Sequence, residues 1–447
     1  MSDAVRNTIK PSPEKFSSRM GAVAAAAGSA VGLGNVWRFP YVVGEDGGAV
    51  FLLLYVIFTA LISIPIMMTE FAIGRKTGLP VTSAFSKLAP GSKWGLIGVL
   101  GMLTAFLIIS YYNIVSGWTL YYSVASVSGW LDSLSEPEVT DFFSSLSSDP
   151  FRCIIWMVIM LTATAVVVAQ GVSGGIEKYS KILMPLLFIL ILVMVVRAML
   201  LPGGLDGLAL FVKPDFSKLT TRTVFDALGQ SFFSLSIGMG TMTTYGSYLR
   251  KTENISSTAI HVASIDFLVA FLSGAVIFPC VFAFGINPGE GPGLVFVTLP
   301  NIFNQMPFGR IFSSCFFLLL VVAALTSSVS LLEVVVAYFK QSFKMGRRRA
   351  TILASVSCLF FGLCCSLSQA VFNIFDNVTA NIMMPIGALL IVIFAVTRIK
   401  REDMRAELEK HGKPFRLFNL YYFLVRYVVP VVIGIIFING IVAWLSK

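Results

Sequence analysis

Residues 28–40 read Gly-Ser-Ala-Val-Gly-Leu-Gly-Asn-Val-Trp-Arg-Phe-Pro, inside a long apolar stretch. Three glycines in seven residues, with a proline six positions on, do not suit a continuous helix facing lipid. Residues 229–240 repeat the defect as Gly-Gln-Ser-Phe-Phe-Ser-Leu-Ser-Ile-Gly-Met-Gly. With no water to satisfy freed amides and carbonyls, interrupted backbone at membrane depth survives only where it is buried in protein or lines a cavity. Both stretches therefore predict a break in a buried helix.

The membrane setting follows from composition. Of 447 residues, 56% are hydrophobic and 13% charged, with a mean hydropathy of +0.84. A soluble domain carries about 25% charged residues. So much apolar surface cannot be hidden in one water-soluble core. A soluble enzyme, a nucleic-acid binder and a disordered chain are excluded, and an all-α integral membrane protein is expected. The net charge of +10 then reflects loops held on the cytoplasmic side, not nucleic-acid contact. Cys153, Cys280, Cys315, Cys358, Cys364 and Cys365 all lie in apolar stretches and read as buried free thiols. His261 and His411 are too scattered for a metal site, and no cluster of nucleophile and base suggests catalysis. No cleavable leader is expected, because residues 1–19 are polar and no small-residue cleavage site with a soluble domain follows.

A transmembrane helix needs about 20 mostly apolar residues. That length predicts eleven, near 18–43, 48–74, 94–128, 151–170, 176–200, 222–248, 258–284, 308–340, 350–367, 371–398 and 420–445. Alternate connecting segments then hold 24 lysines and arginines on one side and seven on the other. The asymmetry puts the N-terminus in the cytoplasm and the C-terminus outside, in a cell membrane. The acidic, serine-rich stretch 129–150 reads as a solvated outer loop, and 399–416 as a short amphipathic helix on the inner face. The interrupted segments are the first and the sixth. Breaks in corresponding positions imply a five-plus-five inverted repeat and point to the substrate and ion site of a transporter. The plainer alternative is close helix packing through small residues. The expected division is a cytoplasmic tail over 1–17, five-helix repeats over 18–200 and 201–398, and a cytoplasmic loop with the eleventh helix over 399–447.

The run from Arg19-Met-Gly through Gly28 to Pro40-Tyr41 resembles the signature of the neurotransmitter:sodium symporter family. Gly44-Glu-Asp-Gly-Gly-Ala-Val-Phe51 and Glu70-Phe-Ala-Ile-Gly-Arg75 continue the resemblance. Eleven helices resemble a bacterial, amino-acid-carrying branch of that family.

The resemblance implies two co-transported sodium ions. The first falls on the Ala30 carbonyl, Asn35, Ser234 and Asp266, the last placed by its spacing from Ser234 and by Ser273-Gly274. Chloride-dependent animal members carry a neutral asparagine there with a chloride nearby, so Asp266 implies independence from chloride. An ionisable side chain at membrane depth is in any case a functional candidate. The second sodium falls on the carbonyls of Gly28, Val31 and Ala323 and the hydroxyls of Thr326 and Ser327. Such hydroxyls also occur simply bonded back to their own helix.

The substrate carboxylate is expected at the Leu33 and Gly34 amides, Tyr112 and the first sodium. The ammonium is expected at the carbonyls of Ala30 and Phe233 and at Ser234 and Ser236. Gly32 stands where amine-carrying relatives have an aspartate, which leaves room for an α-amino acid. Ile108, Phe233, Met239 and Leu331 would surround its side chain without any charge. An unpaired charge buried there would be costly, so a hydrophobic L-amino acid is expected, aliphatic or, with adaptable Met239, aromatic.

Arg38 and Asp376 match the family's outer gate, with Gln230 assisting. The usual inner ion pair is missing, since Pro13 and Gln341 stand at its positions. Gly175 and Pro185 resemble a motif where the fifth helix unwinds, and Glu70 is placed to bond the amides freed in the sixth. The function implied is sodium-coupled symport by alternating access. The alternative is a proton-driven or exchange amino-acid permease of the same broad fold. The amino-acid substrate and the lipid bilayer are the expected partners, with the oligomeric state left open.

Overall fold

The structure, a computed structural model, describes residues 14–132, 134–285, 293–409 and 414–445. Most of the 1–17 tail, with Pro13, and His411 in the inner loop lie outside these residues. The described chain is all helical, apart from one isolated bridge between Gly48 and Pro214. The principal helices are α1 (Arg19–Ala30), α2 (Gly34–Glu45), α3 (Ala49–Thr77), α4 (Lys93–Ser128), α5 (Pro150–Ala169) and α6 (Val172–Met199). They continue as α7 (Thr221–Ser234), α8 (Thr241–Tyr248), α9 (Ile255–Phe284), α10 (Gly309–Ser342), α11 (Arg347–Leu367), α12 (Gln369–Arg398) and α13 (Phe418–Ile438).

Among the described residues, nine helices are long and apolar enough to cross a membrane, or ten if the bent α1–α2 pair counts as one. The expected sixth crossing is two helices of 14 and 8 residues, each shorter than the roughly 20 that a span requires. Its continuity across the bilayer is therefore not given by helix length alone.

Both predicted breaks are present. α1 stops at Ala30, Val31 turns to an extended conformation, and α2 leaves at 56° to α1. Between α7 and α8 the chain runs irregularly from Leu235 to Gly240. Gly238 has φ +79°, and a Cβ there would lie 2.4 Å from the Met384 carbonyl oxygen, so backbone conformation and space both require glycine. α10 packs along α4 at the centre, with Phe317, Leu320, Ala323 and Leu332 fully buried. The periphery is apolar instead: Ile182, Ile189, Leu192 and Val196 stand exposed along α6, as hydrocarbon contact allows.

Three local expectations are refined. The outer stretch 129–150 is not only loop, because Ser135 and Glu138 form a capping box that starts a helix over Glu136–Ser147. The inner amphipathic helix is Arg401–Leu408, held by an ion pair between buried Glu407 and Arg75 at 3.0 Å. α6 is wound through Gly175 and Pro185, with a wide π turn over Val172–Glu177.

Candidate functional site

The two breaks face each other in the middle of the bundle. Ser236 Oγ in the second break donates to the Ser29 carbonyl at 3.0 Å, and Asn35 Nδ2 at the head of α2 donates to Ser234 Oγ at 3.1 Å. A cavity of about 40 Å³ lies between them, α4 and α10. All ten residues expected around a substrate line it, together with Ser29, Gly32, Asn35 and Ser327. None of these lining side chains is charged. One end is polar: Tyr112 Oη accepts from the Leu33 amide at 3.3 Å, and Ser327 Oγ would meet a Cβ on Gly32 at 2.7 Å. Any side chain at position 32 would therefore intrude on this end. The other end is formed by Ile108, Phe233, Met239 and Leu331.

Asp266 on α9 reaches the same junction and is fully buried. Its Oδ1 accepts from Asn35 Nδ2 and from Ser234 Oγ, each at 2.8 Å. Its Oδ2 accepts from Tyr55 Oη at 2.8 Å. Every one of these partners is neutral, so the carboxylate's charge is hydrogen-bonded but not balanced. A buried charge left in that condition is expensive, and a small cation is the natural complement. Three of the four residues expected at the first sodium thus touch one another, and Ala30 lines the adjoining cavity. Tyr55 was not expected. It sits in Phe51-Leu-Leu-Leu-Tyr-Val-Ile-Phe58, a run whose only hint was one polar-tipped ring among aliphatic residues.

The second expected ion position is also assembled. Ser327 Oγ lies 3.5 Å from the Gly28 carbonyl oxygen and 3.1 Å from that of Val31. Thr326 packs against Gly28, while its hydroxyl donates back to the Val322 and Ala323 carbonyls at 3.1 and 3.0 Å. The donor set is all oxygen and carries no formal charge, which suits a hard monovalent cation.

The outer pair is not brought together. No nitrogen of the Arg38 side chain lies within 4.0 Å of an Asp376 carboxylate oxygen. The Arg38 guanidinium lies over the Phe233 ring, 5.3 Å from its centroid, and Asp376 faces the Tyr111 hydroxyl. Gln230 turns to the broken helix, donating to the Gly34 carbonyl at 3.5 Å.

The end of the bundle where α1 begins is packed by another set of residues. Phe16, almost fully buried, packs edge-on to Tyr245 and Tyr248 at 5.7 and 6.0 Å. Lys15 donates to the Ser247 and Leu249 carbonyls at 2.7 and 3.2 Å. Burial first, then nearby Lys251 and Arg75, lower its pKa from the usual lysine value. Glu14 pairs with Lys340 and Arg347, and Arg347 also pairs with Glu333, which accepts from Tyr248 Oη at 2.6 Å. These carboxylates and cations occupy the region where Gln341 offers no charge.

Glu70 on α3 supports the second break. Its Oε1 accepts from the Gly238 amide at 2.9 Å, and its Oε2 accepts from the Thr243 amide and hydroxyl at 3.2 and 3.0 Å.

The model of the family "Sodium:neurotransmitter symporter family" matches residues 13–141 and 138–447. An uncharacterized sodium-dependent transporter of Bacillus subtilis, YhdH, is 38% identical over 96% of this chain and 97% of its own length. One from Haemophilus influenzae is 35% identical over 96% and 98%. The crystal structure of MhsT in complex with L-phenylalanine superposes with a TM-score of 0.88 at 40% identity, covering 96% of this chain and 99% of that one. The sodium- and chloride-dependent GABA transporter ine of Drosophila melanogaster is 28% identical over 79% of this chain and 43% of its own. Likeness of this extent, running unbroken through both interrupted helices, shows that the chain belongs to the sodium:neurotransmitter symporter family and is a sodium-dependent membrane transporter, not an enzyme.

Proposed function

We propose that the protein imports hydrophobic L-amino acids, aliphatic and aromatic, together with two sodium ions and without chloride. The single observation that carries this reading is the unbalanced charge of Asp266 beside an uncharged cavity. A sodium ion there would neutralise the carboxylate and touch the carboxylate of a bound amino acid. Turning the Asn35 amide would present its Oδ1 to that ion, in exchange for the bond that Oδ1 accepts from the Gly32 amide at 3.1 Å. The permanent charge of Asp266 replaces the one a chloride would bring. Thr326, Ser327 and the carbonyls of Gly28, Val31 and Ala323 would hold the second ion and tie α1 to α10.

The apolar end formed by Ile108, Phe233, Met239 and Leu331 supports a substrate without side-chain charge. The likeness to a structure holding L-phenylalanine supports an aromatic substrate among them. Two sodium ions moving with a neutral zwitterion gain about 4.6 kcal/mol per 100 mV of membrane potential. That corresponds to roughly a thousandfold accumulation.

We place the N-terminus in the cytoplasm of a plasma-membrane protein of eleven spans, with inverted repeats over 18–200 and 201–398 and a final helix in 399–447. The Lys and Arg asymmetry supports that orientation. Uptake of labelled leucine and phenylalanine into proteoliposomes tests the proposal. Transport should require sodium and persist when gluconate replaces chloride. Uptake undiminished when potassium replaces sodium would instead mark a proton-driven or exchange permease.

A further inference from the structure

A groove of about 400 Å³ runs along the outer surface where α5 and α11 pack together, far from the cavity between the broken helices. Its walls are Val158 through Ala169 on α5 and Arg348 through Leu359 on α11. Each wall covers twelve residues, or about 16 Å of helix. That is close to half of a hydrocarbon core about 30 Å thick. Small Ala165 and Ala169 leave the trough open, while Val166, Ile352 and Val356 stand more than half exposed along its rim.

The groove is polarised. Arg348 stands at the end where α5 finishes and α11 begins, the cytoplasmic end in the orientation proposed above. Neighbouring Arg347 is committed to Glu333, Glu14 and the Val168 carbonyl. Arg348 is exposed, with no hydrogen-bond or ion-pair partner among the described residues. No acidic side chain lines the groove.

We propose that this groove is a binding site for one anionic glycerophospholipid of the inner leaflet, with an acyl chain lying between α5 and α11 and the phosphate on Arg348. Basic positions between membrane helices on the cytoplasmic side suit such headgroups. The chain itself gains packing and little transfer energy, because lipid tails are as apolar as the groove. Selectivity therefore rests on charge. A second copy of the protein fits less well, since a two-fold contact through this face would bring the two Arg348 side chains together.

The test uses the full-length protein in vesicles of phosphatidylcholine with a photoreactive phosphatidylglycerol that carries a diazirine in its acyl chain. Cross-links should concentrate on peptides within 158–169 and 348–359. Unlabelled phosphatidylglycerol should compete about fivefold better than phosphatidylcholine, whose choline cation cancels its phosphate charge, the discrimination expected when one arginine meets an anionic rather than a zwitterionic headgroup. Arg348→Gln should remove that preference, and Ala165→Phe, which fills the trough, should lower labelling of these peptides. Labelling spread evenly round the protein, or equal competition by the two lipids, would overturn the proposal in the unmodified protein alone. So would efficient disulfide cross-linking between two copies of Ile352→Cys, which would mark the face as a dimer contact.

Discussion

Tyr55 donates its hydroxyl proton to Asp266 Oδ2 at 2.8 Å, fixing from α3 a carboxylate that Asn35 and Ser234 hold from the two broken helices. The one buried negative charge at the junction is thus aimed by three neutral groups from three separate segments. Asp266→Asn removes the charge and keeps the shape. Uptake in chloride-free medium should then fall at least tenfold. Tyr55→Phe removes only the aim, and a hydrogen bond to a charged group is worth about 1.5–3 kcal/mol. The sodium concentration for half-maximal uptake should rise about tenfold with maximal uptake largely kept. Unaltered sodium activation in both variants would refute the role given to Asp266.

Ser327 is the link between α10 and the carbonyls at the end of α1. Ser327→Ala deletes one oxygen from the second ion position and leaves the cavity shape nearly intact. Loss of one such contact, about 1 kcal/mol, corresponds to roughly fivefold weaker sodium activation. Sodium titration of substrate-induced thermal stabilisation measures it apart from transport. An unshifted titration would remove Ser327 from the ion cage.

Asp46, at the outer end of α2, is only 5% exposed and has Glu45 and Asp226 for neighbours, with Arg222 the cation facing them. Burial first, then Asp226, push its pKa up to about 7 against the partial relief from Arg222. The folded protein therefore holds a proton that the unfolded chain releases near pH 4. Stability falls as pH rises from about 4 through 7, and the cost is fully present above 7. Asp46→Asn should raise the melting temperature at pH 8 more than at pH 5. A gain equal at both values would contradict the buried-carboxyl argument.

Three ion pairs of different character join Glu14 and Glu333 to Lys340 and Arg347 at the end of the bundle where α1 begins. Glu14 and Lys340 are both partly exposed, whereas Glu333 is fully buried against Arg347. Exposed pairs contribute about 0–1 kcal/mol, while breaking a buried one costs about 3–5. Glu333→Ala should lower the melting temperature much more than Glu14→Ala. Glu14→Ala should chiefly speed hydrogen exchange over residues 15–27, where α1 is held at its base. The reverse order of melting temperatures would show that the more exposed pair carries the network.

The breaks and the cavity lining were legible because their cause is local. Gly32, Gly34 and Gly238 are glycines for reasons of space that their own neighbourhoods reveal, and the motif around Gly28 carries its partners with it. Tyr55 was hidden because its contact bridges 211 positions of sequence and its own run is almost uniformly apolar. The expected Arg38–Asp376 pair is not formed because Arg38 lies over the Phe233 ring and Asp376 faces the Tyr111 hydroxyl, contacts that depend on how separate helices pack and not on the two positions themselves. The cluster where α1 begins was illegible for a different reason: Glu14 lies one residue from the position that the family pattern marks, with charge of the opposite sign. The sixth crossing was easy to read as polar and broken, but how its two short halves traverse the bilayer depends on what packs around them.

Glu70 offers the sharpest test of that packing. The break at 235–240 frees backbone amides in the middle of the membrane, and two amides that need a partner nearby, those of Gly238 and Thr243, both find it on this one carboxylate. Each buried donor left unsatisfied costs about 1–3 kcal/mol. Glu70→Ala should therefore destabilise the protein by about 2–6 kcal/mol and abolish uptake, because Ser234, Ser236 and Met239 lose their support together. Glu70→Gln keeps one acceptor oxygen and should retain part of both. Sodium-dependent thermal stabilisation separates the two effects: Glu70→Gln should still fold yet respond to sodium and substrate only weakly. A fully active Glu70→Ala would mean that the broken helix is held by something other than this carboxylate.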